Sequence, residues 1–128
     1  MKNFALAGLM VLSLGSAAFA AAHGGPTMMM DTDAGSVLTD NQGMTLYIFD
    51  KDAPGVSNCY DACAVNWPPF IAADGAAATG DLTLVERTDG TMQWAYDGMP
   101  LYYWKNDMAP GDTTGDGVND VWHVVTGE

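Results

Sequence analysis

Basic residues are scarce in this sequence. Lys and Arg together number 4 among 128 residues, against 16 Asp and Glu, so the formal net charge is −12 at pH 7. A protein this acidic is repelled by the phosphates of nucleic acids and of anionic lipids, which argues against nucleic acid as a partner. The same charge favours a solvated, soluble surface, and it would attract cations or a basic partner.

No apolar run in the sequence is long enough to span a membrane. The run FALAGLMVLSLG comes shortly after Lys2 and precedes Ala18-Phe19-Ala20, a small-x-small cleavage site. This pattern predicts a secretory signal peptide over residues 1–20. No cysteine follows the run, so a lipid anchor in the membrane is not expected. We therefore expect a periplasmic or secreted protein after cleavage near Ala20.

Cysteine is scarce as well, since Cys59 and Cys63 are the only two. In an oxidising compartment such a pair usually forms a disulfide. In a regular helix this spacing places the two Cα atoms about 6 Å apart, toward the long end for a disulfide, so a bridge requires a distorted turn. The spacing C-x-x-x-C is also that of copper thiolate sites. Trp67 and Phe70, however, stand where a binuclear copper centre needs His and Met.

Long amphipathic helices are missing, and short apolar stretches alternate with turns rich in Gly, Pro and Asp. We predict a mainly β fold, a small antiparallel β domain with one short helix around Cys59 and Cys63, capped by Ser57. Residues 21–35 lack periodicity and are predicted to form a flexible N-terminal lead, followed by a single β domain over residues 36–128. Strands are predicted over residues 82–87, 92–96, 100–104 and 121–126.

One phrase occurs twice with a period of 55 residues, from Tyr47 to Tyr102. It reads GMTLYIFDKDAPG in the first half of the chain and GMPLYYWKNDMAPG in the second. The halves are therefore predicted to be pseudo-repeats, over about residues 36–80 and 81–128. Because neither half could bury its apolar face alone, we expect the two to pack around a pseudo-twofold axis.

Within the first copy, Tyr47 and Phe49 share one face of a strand, whereas Leu46 and Ile48 share the other. A strand that is apolar on both faces is central in a fold and covered twice. The closing Asp52 can accept backbone N–H groups of the following Pro-Gly turn. We therefore interpret the phrase as a structural motif, carried by Tyr47, Phe49, Asp52, Tyr102, Trp104 and Asp107. The functional alternative is a paired carboxylate site of Asp52 and Asp107 at the axis.

Both copies fit the pattern Y-x-[FWY]-x-x-D, and the stretches SNCYDACAVNWPPF and PGDTTGDGVNDVWHVV accompany them. On these residues the chain resembles, over roughly residues 37–125, the bacterial secreted-repeat family defined by this motif, whose members are often predicted lipoproteins. The resemblance implies a location in the cell envelope and offers no catalytic residues. Because no cysteine follows the signal peptide, we expect a free periplasmic or secreted form.

Two stretches carry side chains that suit copper. Cleavage after Ala20 would place His23 third in the mature chain. There the terminal amine, two backbone amides and the imidazole form a square-planar nitrogen site for Cu(II) or Ni(II). Soft thioether ligands follow at Met28, Met29 and Met30. Copper is therefore the first metal to consider, although the sequence requires no cofactor.

The loop GDTTGDGVND resembles a calcium-binding loop. Asp112, Asp116 and Asp120 stand at positions 1, 5 and 9 of the twelve-residue pattern, with Thr114 at position 3. Position 12 is His123 instead of a bidentate glutamate, and strands instead of helices are predicted on both sides. An acidic glycine-rich loop without calcium is therefore the favoured interpretation, and calcium ranks below copper.

No Ser-His-Asp arrangement, phosphate loop or zinc spacing is present, so an enzyme is not predicted. Aromatic residues of the second half could line a groove for a sugar or a flat ligand, although core packing explains them too; they are Trp94, Tyr96, Tyr102, Tyr103 and Trp104. The sequence favours an exported, non-catalytic binding or interaction module of the cell envelope, with an unknown envelope protein or small ligand as partner. The alternative is a periplasmic copper-handling or redox protein that uses His23, the run Met28, Met29 and Met30, or the Cys59/Cys63 pair.

Overall fold

The structure, a computed structural model, describes residues 25–127 of the chain. The predicted signal peptide and His23 lie outside the described residues. Within these residues the elements are short strands, one α-helix and one 3₁₀-helical turn. In chain order they are β1 (Thr27–Thr32), β2 (Gly35–Asp40), β3 (Tyr47–Phe49), α1 (Ala62–Asn66), β4 (Leu82–Glu86), β5 (Met92–Tyr96), β6 (Met99–Pro100), the 3₁₀ turn (Val118–Asp120) and β7 (Trp122–Val124).

The paired strands are antiparallel and form three small sheets. β1 and β2 form a hairpin, β3 pairs with β7, and β4, β5 and β6 form a three-stranded meander. The predicted mainly β, antiparallel fold with one short helix is therefore confirmed. Over residues 25–127, no helix has the length and apolar character needed to cross a membrane.

The strands of the second half lie close to where alternation predicted them. Residues 92–96 form β5 as predicted, and β4 ends one residue before the predicted end at residue 87. The predicted strand over residues 100–104 is shorter, because after β6 the chain makes only isolated bridges, from Tyr102 to Tyr47 and to Pro69. β7 likewise covers the middle of the predicted range 121–126.

The N-terminal stretch differs from the prediction, because a strand lies within the expected flexible lead of residues 21–35. β1 pairs with β2 over its full length, with Met29 opposite Leu38. Periodicity gave no signal here because β1 is a sheet edge and most of its side chains are exposed or half-buried. In the second half β4 pairs with β5 in the same way, with Leu84 opposite Trp94, so β1 is part of the first repeat.

The short helix differs in its details from the prediction. Helix α1 begins after Asp61, whose backbone φ is 55° and whose side chain makes no capping hydrogen bond. The predicted cap, Ser57, is instead buried in the core, where its hydroxyl lies 2.5 Å from the hydroxyl of Tyr102. The helix ends before Trp67, whose N–H donates to the carbonyl of Cys63. The following prolines prevent a further turn.

Two apolar clusters cover the two faces of the β3 stretch, as its alternation predicted. Tyr47 and Phe49 lie in one cluster, and the other buried members are Cys59, Trp67, Tyr102 and Trp122. Leu46 lies in the other cluster with Ile48 packed against it, and its other buried members are Leu38, Ala72, Leu82, Trp94 and Leu101. Both clusters draw residues from both repeats, so each half completes the core of the other.

Candidate functional site

The two copies of the repeated phrase meet at their central tyrosines, Tyr47 and Tyr102. The N–H of Tyr47 donates to the carbonyl of Tyr102 at 2.8 Å, and the N–H of Tyr102 donates to the carbonyl of Tyr47 at 3.0 Å. Both side chains are fully buried. The reciprocal pair places the pseudo-twofold axis between these two residues, and their side chains lie on the same face, in one core cluster.

Each central tyrosine binds the motif aspartate of the other repeat. The hydroxyl of Tyr47 donates to Asp107 Oδ2 at 2.6 Å, and that of Tyr102 donates to Asp52 Oδ2 at 2.7 Å. The second oxygen of each carboxylate holds the loop of its own repeat. Asp52 Oδ1 accepts the N–H of Asn58, and Asp107 Oδ1 accepts both the N–H and the hydroxyl of Thr114.

Burial sets the acid–base properties of these groups. It raises the pKa of Tyr47 well above the usual value, and the hydrogen bond to Asp107 raises it further. Burial also raises the pKa of Tyr102, against the opposing hydrogen bond from Ser57. The pKa of Asp52 is raised by burial too, while hydrogen bonds from Tyr102 and Asn58 oppose the rise. Both tyrosines therefore remain protonated donors, as the crossed hydrogen bonds require.

The crossed hydrogen bonds bear on the predicted pairing of Asp52 and Asp107. Both carboxylates are 8% exposed, and the hydrogen bonds described above link each to a different tyrosine. As expected, both carboxylates accept backbone N–H groups. The donors, however, lie six residues after Asp52 and seven after Asp107, beyond the Pro-Gly turns. This geometry is that of a structural contact between repeats.

The Pro-Gly turns also cross between the repeats. The N–H of Gly55 donates to the carbonyl of Gly98, and the N–H of Gly111 donates to the carbonyl of Gly43. At Gly43, which has a φ of +86°, an added Cβ would lie 2.9 Å from the Cβ of Pro110. Glycine is required at this position by both the backbone conformation and the close approach of the partner turn.

Four aromatic rings stack in a row beside the axis. Trp67 and Trp122 lie at its centre with ring centroids 3.8 Å apart, and Trp104 and Phe49 extend it at the two ends, each 4.1 Å from its neighbour. The row is symmetric, because Phe49 is equivalent to Trp104 and Trp67 to Trp122 in the repeat. The motif aromatics therefore serve as core packing between the halves.

The two cysteines are joined by a disulfide with Cα atoms 5.2 Å apart. Cys59 precedes α1 instead of sharing it with Cys63, so the long spacing of a regular helix does not arise. A buried arginine fixes this loop, because Arg87 donates to the carbonyl of Cys59 and to the side chain of Gln93. Nothing in the local sequence around Arg87 indicated this contact. With both sulfurs in a disulfide, neither is a thiolate ligand.

The candidate metal ligands are dispersed in the described part of the chain. Met28 and Met30 lie on one face of β1 and Met29 on the other, so the three thioethers do not converge. In the acidic loop, Asp112 accepts two backbone N–H groups and Asp116 accepts that of Val124. Within residues 25–127 no group of three or more His, Cys, Asp or Glu side chains is arranged to hold a metal ion. This holds also for the acidic loop that contains Asp120.

A surface cleft of about 350 Å³, here called the aromatic cleft, lies beside the turn after β2. Its aromatic rings belong to the core cluster that contains Leu46. Phe70 and Tyr103 are in edge-to-face contact, with 5.5 Å between their ring centroids. Tyr103 donates to Asp40 Oδ2 at 2.7 Å, and Asp40 Oδ1 accepts the N–H groups of the turn. The lining consists of Pro26, Asp40, Asn41, Gln42, Phe70, Trp94 and Tyr103.

The sequence indicated part of this cleft. Trp94 and Tyr103 are among the aromatic residues predicted to line a groove, whereas Trp104 and Tyr102 of the same set lie in the core. Phe70 and the polar turn of Asp40 were missed as site residues. The turn itself was the available signal. Its polar residues Asp40, Asn41 and Gln42 precede Gly43, whereas the second repeat has only the short turn Asp97-Gly98 at this place.

A second cleft of about 360 Å³ lies at the equivalent position of the other repeat and is called the aliphatic cleft. Equivalent backbone hydrogen bonds confirm that the two clefts correspond. The N–H of Trp94 donates to the carbonyl of Phe70, and the N–H of Leu38 donates to the carbonyl of Val125. Val125 thus takes the place of Phe70, and Ile48 that of Tyr103. The lining consists of Ile48, Tyr96, Asp97, Met99, Val124, Val125 and Thr126. The duplication therefore produced two clefts of similar size and different chemistry.

Comparison with family models found a match described as a secreted repeat of unknown function. The match occurs twice, over residues 28–71 and 83–126, and its first copy begins within β1. The family predicted from the Y-x-[FWY]-x-x-D motif is thereby confirmed. Searches of the curated proteins and of the solved structures returned no match.

Proposed function

The chain belongs to the family of secreted repeats of unknown function, and we propose that it is an exported, non-catalytic binding module whose ligand occupies the aromatic cleft. The observation that carries the proposal is the difference between two equivalent clefts. One is lined mainly by aliphatic side chains and a single ring, Tyr96, whereas the other has three aromatic rings and a polar turn. If these side chains served only to pack the core, the same lining would suffice in both clefts. The difference between the two linings therefore supports a ligand in the aromatic cleft.

The repeated motif supports this assignment, because its polar side chains are used in hydrogen bonds within the protein. Tyr47 and Tyr102 donate to the buried carboxylates, which in turn hold the backbone of their own loops. A catalytic acid or base has to reach a substrate proton, and these carboxylates are committed to protein donors. The surface that differs between the repeats is the better place for recognition, because the internal contacts that both copies make already explain the motif.

The aromatic cleft has the properties of a small-ligand site. Its volume of about 350 Å³ lies at the lower end of the usual range of ligand pockets, which is about 300–1,000 Å³. Ring surfaces supply apolar contact, while the exposed side chains of Asn41 and Gln42 offer amide groups at the rim. A free small molecule or one protruding side chain of an envelope protein fits this size.

The test is to map binding by amide chemical shifts on the ¹⁵N-labelled protein purified from the periplasm. The probes are a panel of neutral monosaccharides, zwitterionic amino acids and organic cations at millimolar concentration. We expect at least one class to shift the amides of residues 40–42, 70, 94 and 103 together. Phe70→Val, which introduces the residue type of the other repeat, should remove the shifts, whereas Val125→Ala in the aliphatic cleft should keep them. Shifts confined to other surfaces would refute the proposal.

The copper or redox alternative makes a different prediction for the same preparation. It requires stoichiometric copper, or free thiols at Cys59 and Cys63, in protein purified from the periplasm. The binding module requires neither. Metal analysis and thiol counting on one sample therefore separate the two functions, and a Cu(II) titration of His23→Ala against the unmodified protein tests the N-terminal site.

A further inference from the structure

The aromatic cleft contains an acidic residue, Asp40, and no basic residue in its lining. Across residues 25–127 no Lys or Arg forms a salt bridge with an acidic side chain, and the one His–carboxylate contact is that of His123 with Asp50. The basic residues of the described part are Lys51, Arg87 and Lys105, and none of them lines the cleft. Arg87 is 5% exposed and is held in the core by neutral acceptors. The carboxylate of Asp40 accepts hydrogen bonds from neutral groups only, those of Gln42, Met44 and Tyr103, so its negative charge is not paired with a basic side chain.

The rings of the cleft favour the same kind of ligand. Phe70, Tyr103 and the largely buried Trp94 line the cleft together with Asp40, whose carboxylate accepts the Tyr103 hydroxyl at 2.7 Å. The face of an aromatic ring attracts cations through its quadrupole, and several rings around one site recognise quaternary ammonium groups. A net charge of −12 on the chain raises the local concentration of cations further.

We infer that the aromatic cleft binds an organic cation of the methylated or quaternary ammonium class, with its methyl groups against the ring surfaces and Asp40 beside its charge. The inference rests on the proposed function and names the ligand class of the same site. Anions are disfavoured by the carboxylate and by the net charge. A neutral sugar would use the rings but would gain nothing from the unbalanced charge of the site.

The aliphatic cleft provides an internal comparison. It also contains an acidic residue, Asp97, but its only ring is that of Tyr96, and the positions of Phe70 and Tyr103 are taken by Val125 and Ile48. If negative charge alone attracted the ligand, both clefts would bind it equally. Because the rings supply the specific attraction, a cation should select the aromatic cleft over the aliphatic one.

The experiment compares choline with its neutral isostere 3,3-dimethylbutan-1-ol on the protein purified from the periplasm, in low-salt buffer free of organic cations. The two probes have the same shape around the central atom and differ in charge. We expect choline to shift the amides of the aromatic cleft with an affinity at least about tenfold above that of the isostere. Phe70→Val should weaken choline binding by a similar factor, and Val125→Ala should leave it unchanged.

The other outcomes overturn the inference in distinguishable ways. Equal binding of the isostere would mean that the cleft recognises shape and apolar surface alone. Choline shifts spread over the acidic surface and unchanged in Phe70→Val would mean non-specific attraction. If a neutral monosaccharide bound the cleft and choline did not, the ligand class would be wrong while the proposed function would stand. If neither choline nor any member of the panel shifted the cleft, both would fall.

Discussion

Tyr47 donates its hydroxyl hydrogen to Asp107, sixty residues further along the chain, at 2.6 Å inside the core. Tyr102 makes the equivalent bond to Asp52, so each repeat supplies the donor for one bond and the acceptor for the other. The repeated phrase is therefore a device by which two halves hold each other. Because the bonds are buried, breaking one leaves a polar group without water or a partner.

Removal of either motif aspartate should destabilise the protein while leaving the aromatic cleft able to bind. We expect Asp107→Ala and Asp52→Ala each to lower the free energy of unfolding by about 2–3 kcal/mol, because a buried tyrosine hydroxyl loses its acceptor. Urea unfolding measures the loss. A double-mutant cycle of Tyr47→Phe with Asp107→Ala should show coupling of about 1 kcal/mol or more.

The mismatched cycle of Tyr102→Phe with Asp107→Ala is the control and should show a smaller coupling than the matched pair. Equal coupling in both cycles would contradict the crossed pairing. A variant of Asp52 that stays fully stable and yet no longer binds any ligand would return the motif to the functional site.

Substitution of alanine at three glycines should distinguish the stability lost to backbone strain from that lost to steric contact. Gly35, Gly98 and Gly43 all have positive φ, but an added Cβ meets nothing within 4 Å at Gly35, Pro54 at 3.4 Å at Gly98, and Pro110 at 2.9 Å at Gly43. We expect the loss of stability to rise in that order, from about 1 kcal/mol at Gly35 by strain alone. Thermal or urea unfolding of the three variants checks it, and an equal loss at all three would show that the turns do not touch.

Alkaline pH should unfold the protein through its buried tyrosines. The pKa values of Tyr47, Tyr102 and Tyr103 are raised by burial, whereas an unfolded tyrosine ionises near pH 10. Above that pH the unfolded state loses protons that the folded state keeps, so stability falls as pH rises. Phenolate absorbance should therefore appear for these three only together with unfolding.

The control is Tyr103→Phe, in which one buried hydroxyl is removed outside the central pair. Its stability should fall less steeply above pH 10 than that of the unmodified protein. Reversible ionisation of all 5 tyrosines in the folded protein would contradict the prediction.

Replacing both cysteines should cost a modest amount of stability. The disulfide closes a loop between Cys59 and Cys63 only, so chain-entropy models give about 2 kcal/mol for Cys59→Ala/Cys63→Ala. The fold should survive, because Arg87 still donates to the carbonyl of residue 59. Urea unfolding measures the loss, and thiol titration of the denatured, unreduced protein should find none. Two reactive thiols would show that the bridge is absent.

The sequence predicted the elements whose two faces differ in a regular way. Alternation located β4 and β5, and the apolar faces of the β3 stretch were assigned correctly to two clusters. It failed at β1, where an exposed edge strand carries no periodic signal. It also misplaced Ser57, because a hydroxyl before a helix looks the same whether it caps that helix or bonds Tyr102 in the core.

By itself the sequence determined the duplication, the β class and the family, because these follow from patterns that each half carries within itself. The crossed pairing of Tyr47 with Asp107, the buried Arg87 and the two unlike clefts were decided only by the tertiary structure. The physical reason is that local periodicity records which side of a strand is buried, but not what lies against it. A partner sixty residues away is selected by how the halves dock, and docking brought Asp40 and Tyr103, from different repeats, to one aromatic cleft.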